Sequence, residues 1–203
     1  MRMIGLTGGS GSGKSCVADE LRRRSFPVFD ADAEYHLLIA HDSPCVRALT
    51  EAFGTTILNH DGGIDTKKLA KIVFAEDSGR DDRIALLNRL TLHHVAERVH
   101  DFRDTCKREG APLIFLDAPT LIESGLHREC DAVVFVTASK ERRLARIMAR
   151  DGIDVTAAKK RLDAQKGDDF YLAHAHYTIE NDGDLGSLMS EVDKLCTELL
   201  RNA

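Results

Sequence analysis

The sequence predicts an α/β protein with a doubly wound parallel sheet, and three observations carry that prediction. Five short apolar runs have strand character, three of them almost unbroken rather than alternating, the composition of strands covered on both faces. Stretches with apolar residues at helical spacing lie between them. The first run ends in a glycine-rich loop that leads directly into a helical pattern.

The elements follow in order. Met3-Ile4-Gly5-Leu6-Thr7 reads as a buried strand running into the loop, and a helix is expected from about Ser15 through Val17, Ala18 and Leu21 towards Arg24. Pro27-Val28-Phe29-Asp30 is the second strand. The interval 33–108 holds no strand candidate of comparable quality. Its apolar residues (Leu69, Ile72, Val73, Phe74; Ile84, Leu87, Leu90; Val95, Val99, Phe102) recur at helical spacing, with turn chemistry at Phe53-Gly54 and Asp61-Gly62-Gly63. It reads as a helical insertion between strands two and three. Leu113-Ile114-Phe115-Leu116-Asp117 and Ala132-Val133-Val134-Phe135-Val136 are the third and fourth strands, and Tyr177-Thr178-Ile179-Glu180-Asn181 is the fifth. The segment 139–165 is helical and basic, carrying Arg142, Arg143, Arg146, Arg150, Lys159, Lys160 and Arg161.

A chain of 203 residues with 43% hydrophobic content closes one substantial core, so one folding unit with insertions is expected. With 28 basic and 33 acidic side chains the net charge is −5, which offers no general attraction to nucleic acid or to an anionic membrane. No apolar run is long enough to span a bilayer, and Met1-Arg2-Met3-Ile4 enters the glycine-rich loop without a charged-then-apolar leader. A soluble, cytoplasmic protein is expected, with small-molecule rather than nucleic-acid or membrane partners, a monomer or weak homo-oligomer. The five cysteines (Cys16, Cys45, Cys106, Cys130, Cys196) show no zinc-ligand spacing and are expected as free thiols. Cys16, just inside the first helix, is expected to be a small buried filler.

The motif that carries chemistry is Gly8-Gly9-Ser10-Gly11-Ser12-Gly13-Lys14-Ser15, which fits G-x-x-x-x-G-K-[ST] between a strand and a helix. Glycines let backbone N–H groups turn inward around phosphate oxygens, and the helix that follows adds its positive end. Gly8, Gly11, Ser12, Gly13, Lys14, Ser15 and Cys16 would thus form an ATP site. In it Lys14 would reach the β- and γ-phosphates, and the Ser15 hydroxyl would ligate Mg²⁺. Such a loop also serves GTPases, motors and helicases, so the acids must decide. Asp30 and Asp32 follow the second strand at the sheet edge where ligands bind in parallel sheets. Either could accept the proton of an acceptor hydroxyl, and either could instead cap the next helix. Asp117 ends the third strand, where an acid would hold Mg²⁺ directly or through water. On these residues alone, a kinase for a nucleoside or nucleotide and a nucleotide-binding protein without transfer activity both stay open.

Read together, these residues resemble the dephospho-coenzyme A kinase family. The likeness runs through Ile4-Gly5-Leu6-Thr7-Gly8-Gly9 and the loop, Asp30-Ala31-Asp32, Phe53-Gly54, Gly63-Ile64-Asp65, Leu69 and Val73-Phe74. It continues through Asp117-Ala118-Pro119-Thr120-Leu121-Ile122-Glu123, Gly125-Leu126, Asp131, Arg146, Arg150-Asp151-Gly152, Arg161-x-x-x-Gln165, and Ala175 to Ile179 with Asn181. The resemblance implies a five-stranded parallel sheet of the P-loop kinase type as a single domain. Its core would be 1–32, 109–138 and 174–203, with a helical substrate-binding insertion 33–108 and a helical lid 139–173. It implies ATP and Mg²⁺ as cofactors, 3′-dephospho-coenzyme A as acceptor, and Asp32 as the base. Lys14 and Arg146 would act on the transferring phosphoryl, with Arg150 and Arg161 adding charge. Asn181 would help hold adenine, and Asp117 and Pro119 would face the substrate. The chain departs from the family at Cys16, where Thr is usual, at Thr120, and at Leu92-His93-His94, where the family has His-Pro. Arg143 stands where the family has glutamine, and Asp168-Asp169-Phe170 stands where a basic residue often follows Gln165. A metal site made by His93, His94 and His100 is not expected.

Overall fold

The computed structural model describes residues 1–201. In chain order, β1 (Arg2–Thr7) leads to α1 (Lys14–Arg23), β2 (Val28–Asp30), α2 (Ala31–Ala40), α3 (Pro44–Phe53), α4 (Thr66–Val73) and α5 (Arg80–Arg108). Then come β3 (Leu113–Asp117), β4 (Ala132–Thr137), α6 (Lys140–Asp151), α7 (Val155–Asp163), α8 (Asp168–Leu172), β5 (Tyr177–Glu180) and α9 (Leu185–Arg201). The five strands form one parallel sheet in the order β2-β3-β1-β4-β5. β1 sits at its centre, with Leu6 opposite Asp117 on one side and Val134 on the other. The order reverses at β1, so the crevice beyond its C-terminal end is the topological switch point where ligands bind in such sheets.

The apolar runs are strands because both faces of the sheet are covered. β3 is buried at every position, and β1 at every position after Arg2. On one face Ile4, Leu6, Phe115 and Val134 pack with Val17 and Leu21 of α1 and with Leu188, Val192 and Leu199 of α9. On the other, Phe135 joins Ile122 and Tyr171, its ring stacked on that of Tyr171 at 5.0 Å between centroids. Each fully buried Leu or Phe contributes about 1.5–3 kcal/mol of transfer free energy, so this double layer dominates the stability of the sheet.

The chain divides into two compact units, Asp30–Phe102 on the one hand and Met1–Phe29 with the chain from Arg103 onward on the other. The Asp30–Phe102 unit is helical apart from an isolated antiparallel bridge between Leu58 and Ile64. Its helices start where the sequence offers caps. Ser43 Oγ accepts from Val46 N–H at 3.1 Å ahead of Pro44, and the Asp65 carboxylate accepts from the N–H groups of Lys67 and Lys68. Cys45, Val46, Leu49, Ile57, Leu69 and Val73 are buried in this unit.

Some boundaries and burials differ from the sequence reading. α1 starts at Lys14, one residue early, because Gly13 in a left-handed conformation (φ 94°) turns the chain into the helix. Phe74 does not extend the apolar stripe: α4 ends at Val73, and Phe74 is 51% exposed at its C-cap. β5 ends at Glu180, leaving Asn181 in the loop beyond it. Cys16 is exposed rather than buried, because Val17, Ala18 and Leu21 turn their side of α1 to the sheet and Cys16 falls off that face. All five cysteines are free thiols, and burial pushes Cys45 up to about 11 and Cys130 up to about 12. Among the described residues, no helix is long and apolar enough to cross a membrane.

Candidate active site

The glycine-rich loop leaves the C-terminal end of β1 and is fixed from outside by side chains 100 or more residues away. Ser10 N–H donates to Gln165 Oε1 at 3.0 Å, while the Ser10 carbonyl accepts from Arg143 Nε at 3.1 Å. Arg146 Nη1 donates to the carbonyls of Gly11 (3.2 Å) and Ser12 (3.4 Å). Asn181, only 6% exposed, donates from Nδ2 to the Ser12 carbonyl at 2.8 Å, and its own carbonyl accepts from Arg146 Nη2 at 2.9 Å. Within the loop, Ser12 N–H donates to the Gly9 carbonyl at 3.1 Å, a turn that closes the loop on itself.

Gly13 has to be glycine for two reasons. Its φ of 94° is a conformation that L-residues rarely adopt, and a Cβ there would run into the Asn181 amide. Gly8 is equally constrained by approach, since a Cβ would sit 2.5 Å from the Val136 carbonyl oxygen and 2.8 Å from Ser12 Oγ.

Lys14, the first residue of α1, forms an ion pair with Asp117 at the end of β3. Both side chains are enclosed, at 12% and 6% exposure, so each compensates the other's desolvated charge. The loop after β3 is tied to β1 where Thr7 Oγ1 donates to the Pro119 carbonyl at 3.1 Å and Ala118 N–H donates to the Leu6 carbonyl at 3.1 Å. Ser15 is exposed in the first turn of α1. Gly8, Gly11, Ser12, Gly13, Lys14, Asp117, Arg146, Arg150 and Asn181 are thus joined in one contact network, with Pro119 at its margin.

The remaining acids and bases take individual places. Asp30 is the N-cap of α2 and accepts from Ala33 N–H at 3.0 Å, whereas Asp32 lies exposed in the first turn of that helix. Arg150 pairs with Asp151 through two hydrogen bonds (2.7 and 3.0 Å) and reaches Ser10 Oγ at 3.3 Å. Arg161 pairs with the same Asp151, whose carboxyl is held below the usual range chiefly by the Arg150 hydrogen bond. Asp182 is likewise lowered, first by the Ser139 backbone N–H that it accepts at 2.8 Å and further by the charges of Arg142 and Arg146.

The sequence offers Arg143 as one of several basic residues of segment 139–165 and as a departure from the family pattern, Asp168 as a departure, and Gln165 as part of a motif, with nothing to set them against the loop. In the structure Arg143 Nη2 donates to Gln165 Oε1 and Nη1 to Asp168 Oδ1, both at 3.0 Å, and Thr137 Oγ1 donates to Asp168 Oδ2 at 2.8 Å. No local signal marks the clamp, because Ser10, the partner of Arg143 and Gln165, lies more than 130 positions away. In the Asp30–Phe102 unit, His94 Nδ1 lies 3.0 Å and His93 Nε2 3.5 Å from the Glu97 carboxylate. The ligand atoms of these three residues fall within 4.8 Å of one another, and His100 is not among them. A cavity of about 510 Å³ in the same unit is lined by Leu37, Leu38, Pro44, His94, Glu97 and His100.

A strand, phosphate loop and helix at the switch point of a parallel sheet, with a buried lysine-carboxylate pair beneath and arginines above, define a P-loop kinase. Comparison with known proteins then identifies the family. Residues 2–187 match the family model of dephospho-CoA kinase, and the chain belongs to that family. It is 36% identical over 200 residues to a dephospho-CoA kinase of Corynebacterium glutamicum, with 98% of each chain covered. To that of Anaeromyxobacter dehalogenans it is 38% identical over 201 residues, covering 98% of this chain and 92% of the relative. Among solved structures, a protein from Thermus thermophilus superposes with a TM-score of 0.78 at 30% identity, covering 98% of this chain and 97% of the other.

Proposed function

We propose that this protein transfers the γ-phosphoryl group of ATP to the ribose 3′-hydroxyl of 3′-dephospho-coenzyme A, giving coenzyme A and ADP in the last step of coenzyme A biosynthesis. The observation that carries the reading is a complete phosphate loop, fixed from outside by Arg143, Arg146, Gln165 and Asn181, in a chain that matches the dephospho-CoA kinase family over residues 2–187. Phosphoryl transfer asks a protein for positioning and charge neutralisation more than for covalent chemistry, and this site supplies both.

In this reading the loop amides and Lys14 bind the phosphates, Lys14 leaving Asp117 to do so. Asp32, two residues beyond the end of β2, takes the proton of the acceptor hydroxyl. The hydroxyl oxygen bonds to the γ-phosphorus as the bond to the departing ADP oxygen breaks. Arg146 and Arg150 offset charge on the transferring group, and residues 139–173 act as a lid that excludes water. The Ser15 hydroxyl and the Asp117 carboxylate are hard oxygen donors of the kind that Mg²⁺ takes, and they would hold it. When bound, the ion neutralises phosphate charge. The cavity beside His94 has the size of a site for part of an extended acceptor. Cytoplasmic location and small-molecule partners alone, with a monomer or weak homo-oligomer, complete the reading.

The test is ADP release with Mg²⁺ and ATP, comparing 3′-dephospho-coenzyme A with adenosine, AMP and no acceptor, and confirming product mass. Release with gain of one phosphate only with dephospho-coenzyme A is expected. Equal rates with adenosine would reassign the acceptor, and ATP binding without any release would make the protein a nucleotide-binding module.

A further inference from the structure

The loop's three successive carbonyls, of Ser10, Gly11 and Ser12, each accept from a side chain outside the loop: Arg143, Arg146, and Arg146 with Asn181. In a planar trans peptide the C=O and the next N–H point in opposite directions. Holding these carbonyls outward therefore turns the N–H groups of Gly11 and Gly13 to the opposite side, where a concave nest of amides takes an anion.

Arg143 holds the first of the three, and Nε, Nη1 and Nη2 of its guanidinium are all engaged. It is 11% exposed, and its guanidinium spans Ser10, Gln165 and Asp168 at 3.0–3.1 Å. Gln165 holds the N–H of the same Ser10, so both polar groups of one loop residue are fixed by a single cluster. Asp168 is in turn anchored by Thr137 at the end of β4. This cluster joins α6, the turn after α7, α8 and the sheet to the tip of the phosphate loop.

We propose that Arg143 is a positioning residue of the nucleotide site: with Gln165 it pre-sets the phosphate loop, and Asp168 is the counter-charge that keeps its guanidinium on the loop. Arg143 thus acts on the polyphosphate through Ser10 rather than by touching it. A fixed loop spends no ordering entropy when the nucleotide arrives, so loss of the clamp falls on nucleotide affinity first. Bound nucleotide itself restores much of the loop shape, so turnover at saturating ATP falls less.

The proposal rests on the reading of this loop as a nucleotide site, and the experiment separates the two. ADP affinity is measured by calorimetry for the wild type, Arg143→Ala, Gln165→Ala and Asp168→Asn, with KM for ATP and kcat alongside. Loss of a charge-assisted hydrogen bond predicts that Arg143→Ala weakens ADP binding about 10- to 100-fold and raises the KM for ATP in step, with a smaller fall in kcat. Gln165→Ala should do the same to a lesser degree without changing any charge. Arg143→Gln, which keeps a donor for the Ser10 carbonyl, should recover part of the loss, and a generally loosened fold would not respond in that way. Asp168→Asn combined with Arg143→Ala should add little beyond Arg143→Ala. ADP affinity unchanged in folded Arg143→Ala and Gln165→Ala, beside a wild type that binds, would overturn the positioning role alone. A wild type that binds no ADP would overturn the nucleotide reading and this inference with it.

Discussion

The phosphate loop and the helical Asp30–Phe102 unit are built on different principles. Around the loop, buried Asn181 and half-buried Arg143, Gln165 and Arg146 are spent on the backbone, holding peptide groups of residues 10–12, and Lys14 and Asp117 compensate each other in near-complete enclosure. In the helical unit, the polar side chains singled out from the sequence make their hydrogen bonds and ion pairs over short stretches of chain, and only His94 among them is mostly enclosed, at 13% exposure. Asp32 is exposed in the first turn of α2, and His93 and His94 meet Glu97 within one turn of α5. A phosphate is recognised by backbone amides whose directions must be fixed before it binds. An acceptor is recognised by side chains, whose rotamers can be selected as it binds. The phosphate loop accordingly relies on long-range anchors.

The largest expected break of that contrast is at Asp32. Asp32→Asn should lower kcat about 10²- to 10⁴-fold, the range for a lost general base, while calorimetric ATP affinity stays near that of the wild type. A turnover close to normal would remove Asp32 from the chemistry. Lys14→Ala comes next, with turnover down about 10²- to 10³-fold, as for other lost electrostatic donors, and with ATP binding also weakened. Equal ATP affinity would mean that Lys14 stays on Asp117 when nucleotide binds.

A comparison of two glycines sharpens the point at smaller scale. Gly13 and Gly62 both have positive φ, at 94° and 80°, but Gly13 is crowded by Asn181 whereas Gly62 has open space where a Cβ would go. Gly62→Ala should cost about 1–2 kcal/mol by thermal or urea unfolding, the left-handed strain alone, and leave ADP affinity unchanged. Gly13→Ala should cost more, and should weaken ADP binding, because either the loop or Asn181 must move. Equal costs would mean that the loop is softer than its contacts imply.

The smallest effect is on acid stability. Asp65 caps α4, and its carboxyl is lowered first by the Lys68 N–H; Asp182 is lowered first by the Ser139 N–H. A lowered folded-state pKa means that each contribution is present above the unfolded value, about 4, and is lost as the pH falls through the folded one. Chemical unfolding between pH 6 and pH 3 should therefore show stability falling on acidification, with a shallower fall in Asp65→Asn and Asp182→Asn. An unchanged slope would show that neither carboxylate contributes through its charge.

Sequence alone was enough for the strands, the phosphate loop and the acid that ends β3, because each is encoded locally. Apolar runs of strand length, glycines at fixed offsets before Lys14 and Ser15, and an aspartate at a strand end are signals contained within about ten residues. The same locality offered both Asp30 and Asp32 as acids after β2, and only the family resemblance pointed to Asp32 as the base. The fold then shows Asp30 as the cap of α2, with its side chain on Ala33 N–H. It also reverses the burial of Cys16, which depends on which side of α1 faces the sheet.

What the tertiary structure decided is what holds the loop still. Arg143, Gln165, Asp168 and Asn181 reach Ser10 and Ser12, directly or through one another, across more than 130 residues of chain, and nothing in their own neighbourhoods announces it. Their meeting depends on β1 and β4 being paired at the centre of the sheet, with the segments after β4 folding back over the end of β1. Sequence determined which atoms could receive a phosphate. Only packing determined that those atoms wait for it in position, since the backbone of an isolated glycine-rich loop has too many conformations to hold one without anchors.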